Sequence, residues 1–126
     1  MSLPDETLHK ILQQIQQTAQ QSSRALSISR AQTAQKERER RILQLTIGEI
    51  SSIPRNASGE DVNLYKGVGK MFMQVPRPIL EKDMKSQEKE LTDDISNLNK
   101  KIKYLEKQYN DAQSQLKDIF HSSQPR

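Results

Sequence analysis

Apolar residues in the C-terminal half recur with a strict alternation of four and three positions. Leu91, Ile95, Leu98, Ile102, Leu105, Tyr109, Ala112, Leu116 and Ile119 keep this spacing without a slip, with Lys, Glu, Asp, Gln and Asn around them. Such a series is the seam of a coiled coil, because residues three and four apart fall on one stripe of a helix. Followed backward in the same phase it meets Glu88 and Met84, so the seam weakens toward its start. Pro78 suits a first helical position, and Glu81 and Asp83 lie close enough to favour the positive end of the helix. The pattern predicts a helix over about 78–121 and a disordered tail over 122–126.

The N-terminal half repeats the alternation more weakly through Leu8, Leu12, Ile15, Ala19, Ser22, Leu26, Ser29, Thr33, Lys36, Arg40, Leu43, Ile47 and Ile50. Pro4, Asp5 and Glu6 form a helix opening, and Pro54 stops the helix because its ring cannot sit inside the helical ladder. Thr46, Ile47, Gly48 and Glu49 carry the spacing of a capping box, which would break the helix near Gly48. The heptad phase running on through Ile50 favours a nearly continuous helix over about 4–53. Each helix would be ~65–70 Å long at 1.5 Å per residue. Two stripes of similar length most simply bury each other in an antiparallel hairpin. The polar middle of the first stripe, Ser22, Ser29 and Thr33, predicts a loose pairing there.

Between the helices, "PRNASGED" concentrates turn residues and reads as a loop over 54–61. "NLYKGVGKMFMQV" then reads as a β-hairpin over 62–75, with strands at 62–66 and 70–75 around Gly67-Val68-Gly69. Alternation sets Met71, Met73 and Val75 on one face and Phe72 and Gln74 on the other, and Leu64 and Tyr65 likewise oppose each other. Large apolar groups on both faces cannot be covered by the chain's own helix ends, and an isolated two-stranded hairpin is marginal in water. Other chains must complete this sheet. The expected fold is therefore mainly α: a single domain with a long antiparallel helical hairpin and a β-hairpin at its connecting end.

Composition agrees. Only 33% of the 126 residues are hydrophobic, 29% are charged and Trp is absent, against about 45–50% apolar in an ordinary globular domain. The chain has no Cys, which excludes disulfides, thiolate metal sites and cysteine catalysis. No apolar run approaches the ~20 residues of a membrane span, and the N-terminus lacks a signal-peptide pattern, so a cytoplasmic protein without membrane contact is expected.

The formal charge of +4 is spread thin. Lys and Arg number seven against five Asp and Glu up to Ile53, four against two from Pro54 to Ile79, and nine against nine from Leu80 onward. The one cluster, Lys36 to Arg41, interleaves acids with bases and reads as a solvated helix face, which argues against nucleic acid as a partner. Salt-dependent nucleic-acid binding would be needed to revive that alternative.

Catalytic chemistry finds no support. The glycines of "GVGKM" are too close for a Walker loop, Met71 cannot hold magnesium, and a dinucleotide fingerprint needs glycine where Phe72 stands. His9 and His121, at opposite chain ends, are too few for a zinc site. No enzyme activity, metal or cofactor is expected.

The hairpin "NLYKGVGKMF" between two long helices, the second ending "YLEKQYNDAQSQLKDIF", resembles a β-type subunit of the prefoldin family. The likeness runs from Asn63 to Phe120, nearly half the chain, and rests on Asn63, Tyr65, Gly67, Val68, Gly69, Met71 and Phe72, then on Tyr104, Leu105 and Glu106. Over the first 53 residues it is only a helix of suitable length. "PRNASGED" is longer than the family's usual connection, which bears on where the loop and the first helix meet.

That resemblance implies a hetero-hexamer of two α-type and four β-type subunits, so that this chain would meet two α-type and three further β-type partners. Their hairpins would form a β-barrel platform, with Val62, Leu64, Tyr65, Gly67, Val68, Gly69, Met71, Phe72, Met73 and Val75 as this chain's assembly residues. The implied activity is ATP-independent holding of unfolded actin and tubulin and their transfer to the cytosolic chaperonin. A holding protein needs adaptable exposed apolar groups. At the helix ends furthest from the hairpin these are Leu8, Ile11, Leu12 and Ile15 on one arm and Leu116, Ile119 and Phe120 on the other. Five of these seven also fit the seam and could simply close it. Ile11 and Phe120 lie off it and widen the apolar stripe. A coiled-coil adaptor in a prefoldin-like assembly with another duty is the competing expectation.

Overall fold

The computed structural model of the chain describes residues 5–53 and 63–123. The loop expected over 54–61, and Val62 at the expected start of the hairpin, lie outside the described residues. In chain order the elements are helix α1 (Asp5–Ser52), strands β1 (Leu64–Val68) and β2 (Met71–Val75), and helix α2 (Arg77–Ser123). Two long helices flanking an antiparallel β-hairpin are the fold class that the periodicity predicts.

Helix α1 opens with Asp5 and Glu6 in its first turn, where carboxylates favour the positive end of the helix dipole. It passes through Gly48 without a break, so the capping-box alternative does not occur. The Thr46 hydroxyl turns back and donates to the Ile42 carbonyl at 2.9 Å, a bond that leaves the helical ladder intact. A last turn closes with Ile53 N donating to Ile50 O at 3.1 Å, just ahead of Pro54.

Helix α2 begins at Arg77, one residue before Pro78, and continues to Ser123, so Ser122 and Ser123 belong to the helix and not to the expected tail. The Pro76 carbonyl accepts from the amides of Ile79 and Leu80, both at 3.1 Å. Pro78 therefore sits in the first turn, where its missing N–H leaves no bond unmade.

The strands pair antiparallel in the register Leu64–Val75, Tyr65–Gln74, Lys66–Met73, Gly67–Phe72 and Val68–Met71. This corrects the expected turn. Gly67 and Val68 continue β1, and the reversal is made by Gly69 and Lys70 alone. Gly69 has φ +62° and no other described residue has a positive φ, the pattern of a two-residue type II′ turn with glycine at its first central position.

The chain separates into two compact units, one built from residues up to Ala34 with those from Ser96 onward, the other from Gln35–Ile95.

In the Gln35–Ile95 unit, Leu80, Met84 and Ile95 are buried, while Leu43, Ile47, Ile50 and Leu91 are half-buried. Lys36 Nζ meets Asp94 Oδ2 at 3.3 Å, Gln44 Nε2 donates to Glu88 Oε1 at 3.1 Å, and Arg77 Nη2 donates to Ile50 O at 2.9 Å. Partner numbers fall along α2 as they rise along α1, so the two helix segments run antiparallel. Lys36 and Arg40 are half-buried on the seam itself, their stems covering apolar surface while the charge reaches water.

In the other unit the most deeply buried side chains of α1 are small: Ala19 6%, Ser22 3%, Ser29 1% and Thr33 8% exposed, with Leu26 at 6%. The polar positions at which loose pairing is expected are buried all the same. Arg30 Nη2 and Glu106 Oε1, 3.0 Å apart, fix a register that sets this stretch against Ile102, Leu105 and Tyr109. Small residues set against large ones are the arrangement by which two helices can approach closely. The polar groups are accommodated: the Thr33 hydroxyl donates to Ser29 O at 2.8 Å, and among the described residues no buried side-chain polar atom lacks a partner.

Candidate functional site

The hairpin's geometry follows from its register. Residues directly opposite in an antiparallel pair share a face, so Leu64, Val75, Lys66, Met73, Val68 and Met71 form one face and Tyr65, Gln74, Gly67 and Phe72 the other. Lys66 Nζ reaches Asp83 Oδ2 of α2 at 3.0 Å, which turns the first face toward the helix at its base, where Leu64 and Val75 are half-buried. Towards the turn that cover ends. Val68 is 50% exposed, Met71 70% and Met73 55%.

The second face is aromatic and open, with Tyr65 57% and Phe72 78% exposed. Phe72 lies over Gly67, where a Cβ would stand in ordinary contact, 3.7 Å from Phe72 Cε1. The sheet has two strands, so each also keeps one edge unpaired among the described residues, where its N–H and C=O groups invite a further strand. Gln74 Nε2 donates to Asn63 Oδ1 at 3.1 Å, tying the open ends of the two strands together.

The first turns of α1 and the last turns of α2 belong to the unit with the small-residue seam. Leu8, Ile11, Leu12 and Ile15 of α1 are half-buried, as are Leu116 and Ile119 of α2, whereas Ala19 and Ala112 further in are buried. The seam thus loses cover toward the termini. Phe120 is 54% exposed and lines a hollow with Gln113, Leu116, Lys117 and His121. Of the heptad positions on α2, Ile95, Leu105 and Ala112 are buried and Leu91, Leu98, Ile102 and Tyr109 half-buried.

Sequence reasoning missed two features near the hairpin. Arg77 is buried and bonded across to α1. Ile42, Leu45 and Ile79 stand 65%, 62% and 60% exposed outside the seam. The second could have been found from the off-seam spacing of Ile42 and Leu45; nothing in the residue pattern announces the reach of Arg77.

A two-stranded sheet apolar on both faces, with both outer edges unpaired among the described residues, carried on two seam-forming helices, defines a helical-hairpin protein with a β-hairpin at its connecting end. Comparison with known proteins identifies the family. A family model described as "Prefoldin subunit" matches residues 13–123. The chain is 30% identical over 115 residues to a probable prefoldin subunit 1 of Schizosaccharomyces pombe, covering 91% of this chain and 98% of that one. It is 26% identical over 117 residues to prefoldin subunit 1 of Arabidopsis thaliana, covering 93% and 88%, and 25% identical over 118 residues to that of Danio rerio, covering 94% and 93%. The chain belongs to the prefoldin subunit family.

Proposed function

We propose that the chain is a β-type subunit of a hetero-hexameric, ATP-independent co-chaperone. Its hairpin joins strands from two α-type and three further β-type subunits, and its helices hold unfolded proteins of the actin and tubulin class for transfer to the cytosolic chaperonin in the cytoplasm. The observation that carries this function is the hairpin, with Met71 and Phe72 70% and 78% exposed on opposite faces. Surface of that kind is covered only in an assembly.

The helix ends support the holding role. A client without fixed structure needs apolar groups already partly exposed, and Leu8, Ile11, Leu12, Ile15, Leu116, Ile119 and Phe120 provide them without dismantling the seam. No step in holding and release requires a cofactor, a metal or catalysis by this chain. The test is the mass of the native complex purified through this chain. A six-subunit assembly containing the other prefoldin subunits is expected; a complex of different composition would assign the chain to the adaptor class instead.

A further inference from the structure

We infer that the outer face of α1 near its C-terminal end is a second subunit contact, continuous with the hairpin, and that it receives the helix base of a neighbouring prefoldin subunit. This rests on the proposed assembly. Ile42 and Leu45 are 65% and 62% exposed, whereas Leu43, Ile47 and Ile50 of the same helix segment are half-buried on the seam. Three residues apart, Ile42 and Leu45 lie side by side on the helix surface. A merely solvated helix face has no use for two large aliphatic side chains one turn apart.

Their position argues for the occupant. Among the described residues of the Gln35–Ile95 unit, every other exposed large apolar residue lies on the hairpin or in the first turn of α2: Tyr65, Val68, Met71, Phe72, Met73 and Ile79. Ile42 is about 15 Å along the helix from Ser52, at 1.5 Å per residue. A subunit that adds a strand to β1 or β2 carries its own helices into that range. Arg38 and Arg41 flank the patch one turn before it and Glu49 one turn after. All three are exposed and form no ion pair among the described residues. The fitting partner is therefore an amphipathic helix that presents apolar side chains with acidic residues near Arg38 and Arg41.

The test uses the chain co-expressed with the other prefoldin subunits. A photo-crosslinking residue placed at Leu45 is expected to yield an adduct with one additional prefoldin subunit; an adduct with unfolded client alone overturns the inference. In parallel, I42S/L45S should leave the helix content of the full chain unchanged while the complex dissociates at a protein concentration at least tenfold higher than wild type. A complex of wild-type stability overturns it, as does a loss of helix content matching that of the seam variant L43S. Failure of the wild-type chain to enter any prefoldin complex is a separate result and would overturn the parent function as well.

Discussion

The guanidinium of Arg77, in the first turn of α2, donates from Nη2 to the carbonyl of Ile50, in the last turn of α1, at 2.9 Å. Its Nε donates to Glu81 Oε1 at 2.8 Å, and the Arg77 side chain is only 8% exposed. Helix α1 has no basic residue in its own last turn, so Arg77 supplies the positive charge that this helix end favours. One planar fork thus joins the end of one helix to the start of the next.

Replacing Arg77 by Met keeps the buried stem but removes the charged donor to the Ile50 carbonyl, which retains only its bond from Ile53 N, and should cost roughly 1–3 kcal/mol. Arg77→Lys should recover only part, because an ammonium cannot reproduce the two-directional fork. Urea unfolding followed by far-UV circular dichroism would measure both. A Met variant as stable as the parent would show that the clasp contributes nothing.

The small-residue seam makes an opposite kind of prediction. Ser29 is 1% exposed in a register that faces it with Leu105, so Ser29→Leu should overpack the interface and destabilise by about 1–3 kcal/mol. Ser29→Ala should be neutral or slightly stabilising, since Ala is the better helix former. If Leu were tolerated as well as Ala, the helices would not be close there, and thermal melts of the two variants would coincide.

These two sites also mark what was legible in the sequence. From Leu8 to Ile50 every position of the four-three series is buried or half-buried, and the hairpin's two faces divide as alternation predicts, because periodicity alone decides which side of an element a residue occupies. Periodicity carries no information on the opposing helix. Ser22, Ser29 and Thr33 look like a weak point until Ile102, Leu105 and Tyr109 are set against them. The turn was misplaced for a related reason: Gly67 and Gly69 are equivalent as letters, and only strand register shows that Gly69 turns while Gly67 pairs with Phe72. At the helix ends, exposure shows that an apolar group is available, and its partner is written in no residue of this chain.

The two glycines should therefore respond differently to the same change. At Gly69 the φ of +62° disfavours any side chain, and Gly69→Ala should cost on the order of 1–2 kcal/mol. At Gly67 a Cβ would lie in ordinary contact, 3.7 Å from Phe72 Cε1, so Gly67→Ala should be nearly silent. Thermal stability of the proposed complex is the appropriate readout, because an isolated two-stranded hairpin is marginal in water. Equal losses at both positions would contradict the turn assignment.

Holding and assembly should be separable by substitution. Ile11 and Phe120 lie off the heptad series in the unit that contains neither strand, and Phe120 remains 54% exposed, so Ile11→Ser with Phe120→Ser removes apolar surface while sparing the buried seam. The hexamer should form at wild-type yield, and suppression of aggregation of an unfolded actin or tubulin client should require several-fold more complex. Leu105→Ser provides the contrast. Leu105 is 8% exposed, and its truncation should destabilise the helix pair by roughly 2–5 kcal/mol, as for other large-to-small changes at buried sites. Any loss of holding in that variant should follow loss of helix content. A double variant at Ile11 and Phe120 that suppresses aggregation as well as wild type would remove the helix ends from the holding surface and leave the inward faces of the helices to be searched.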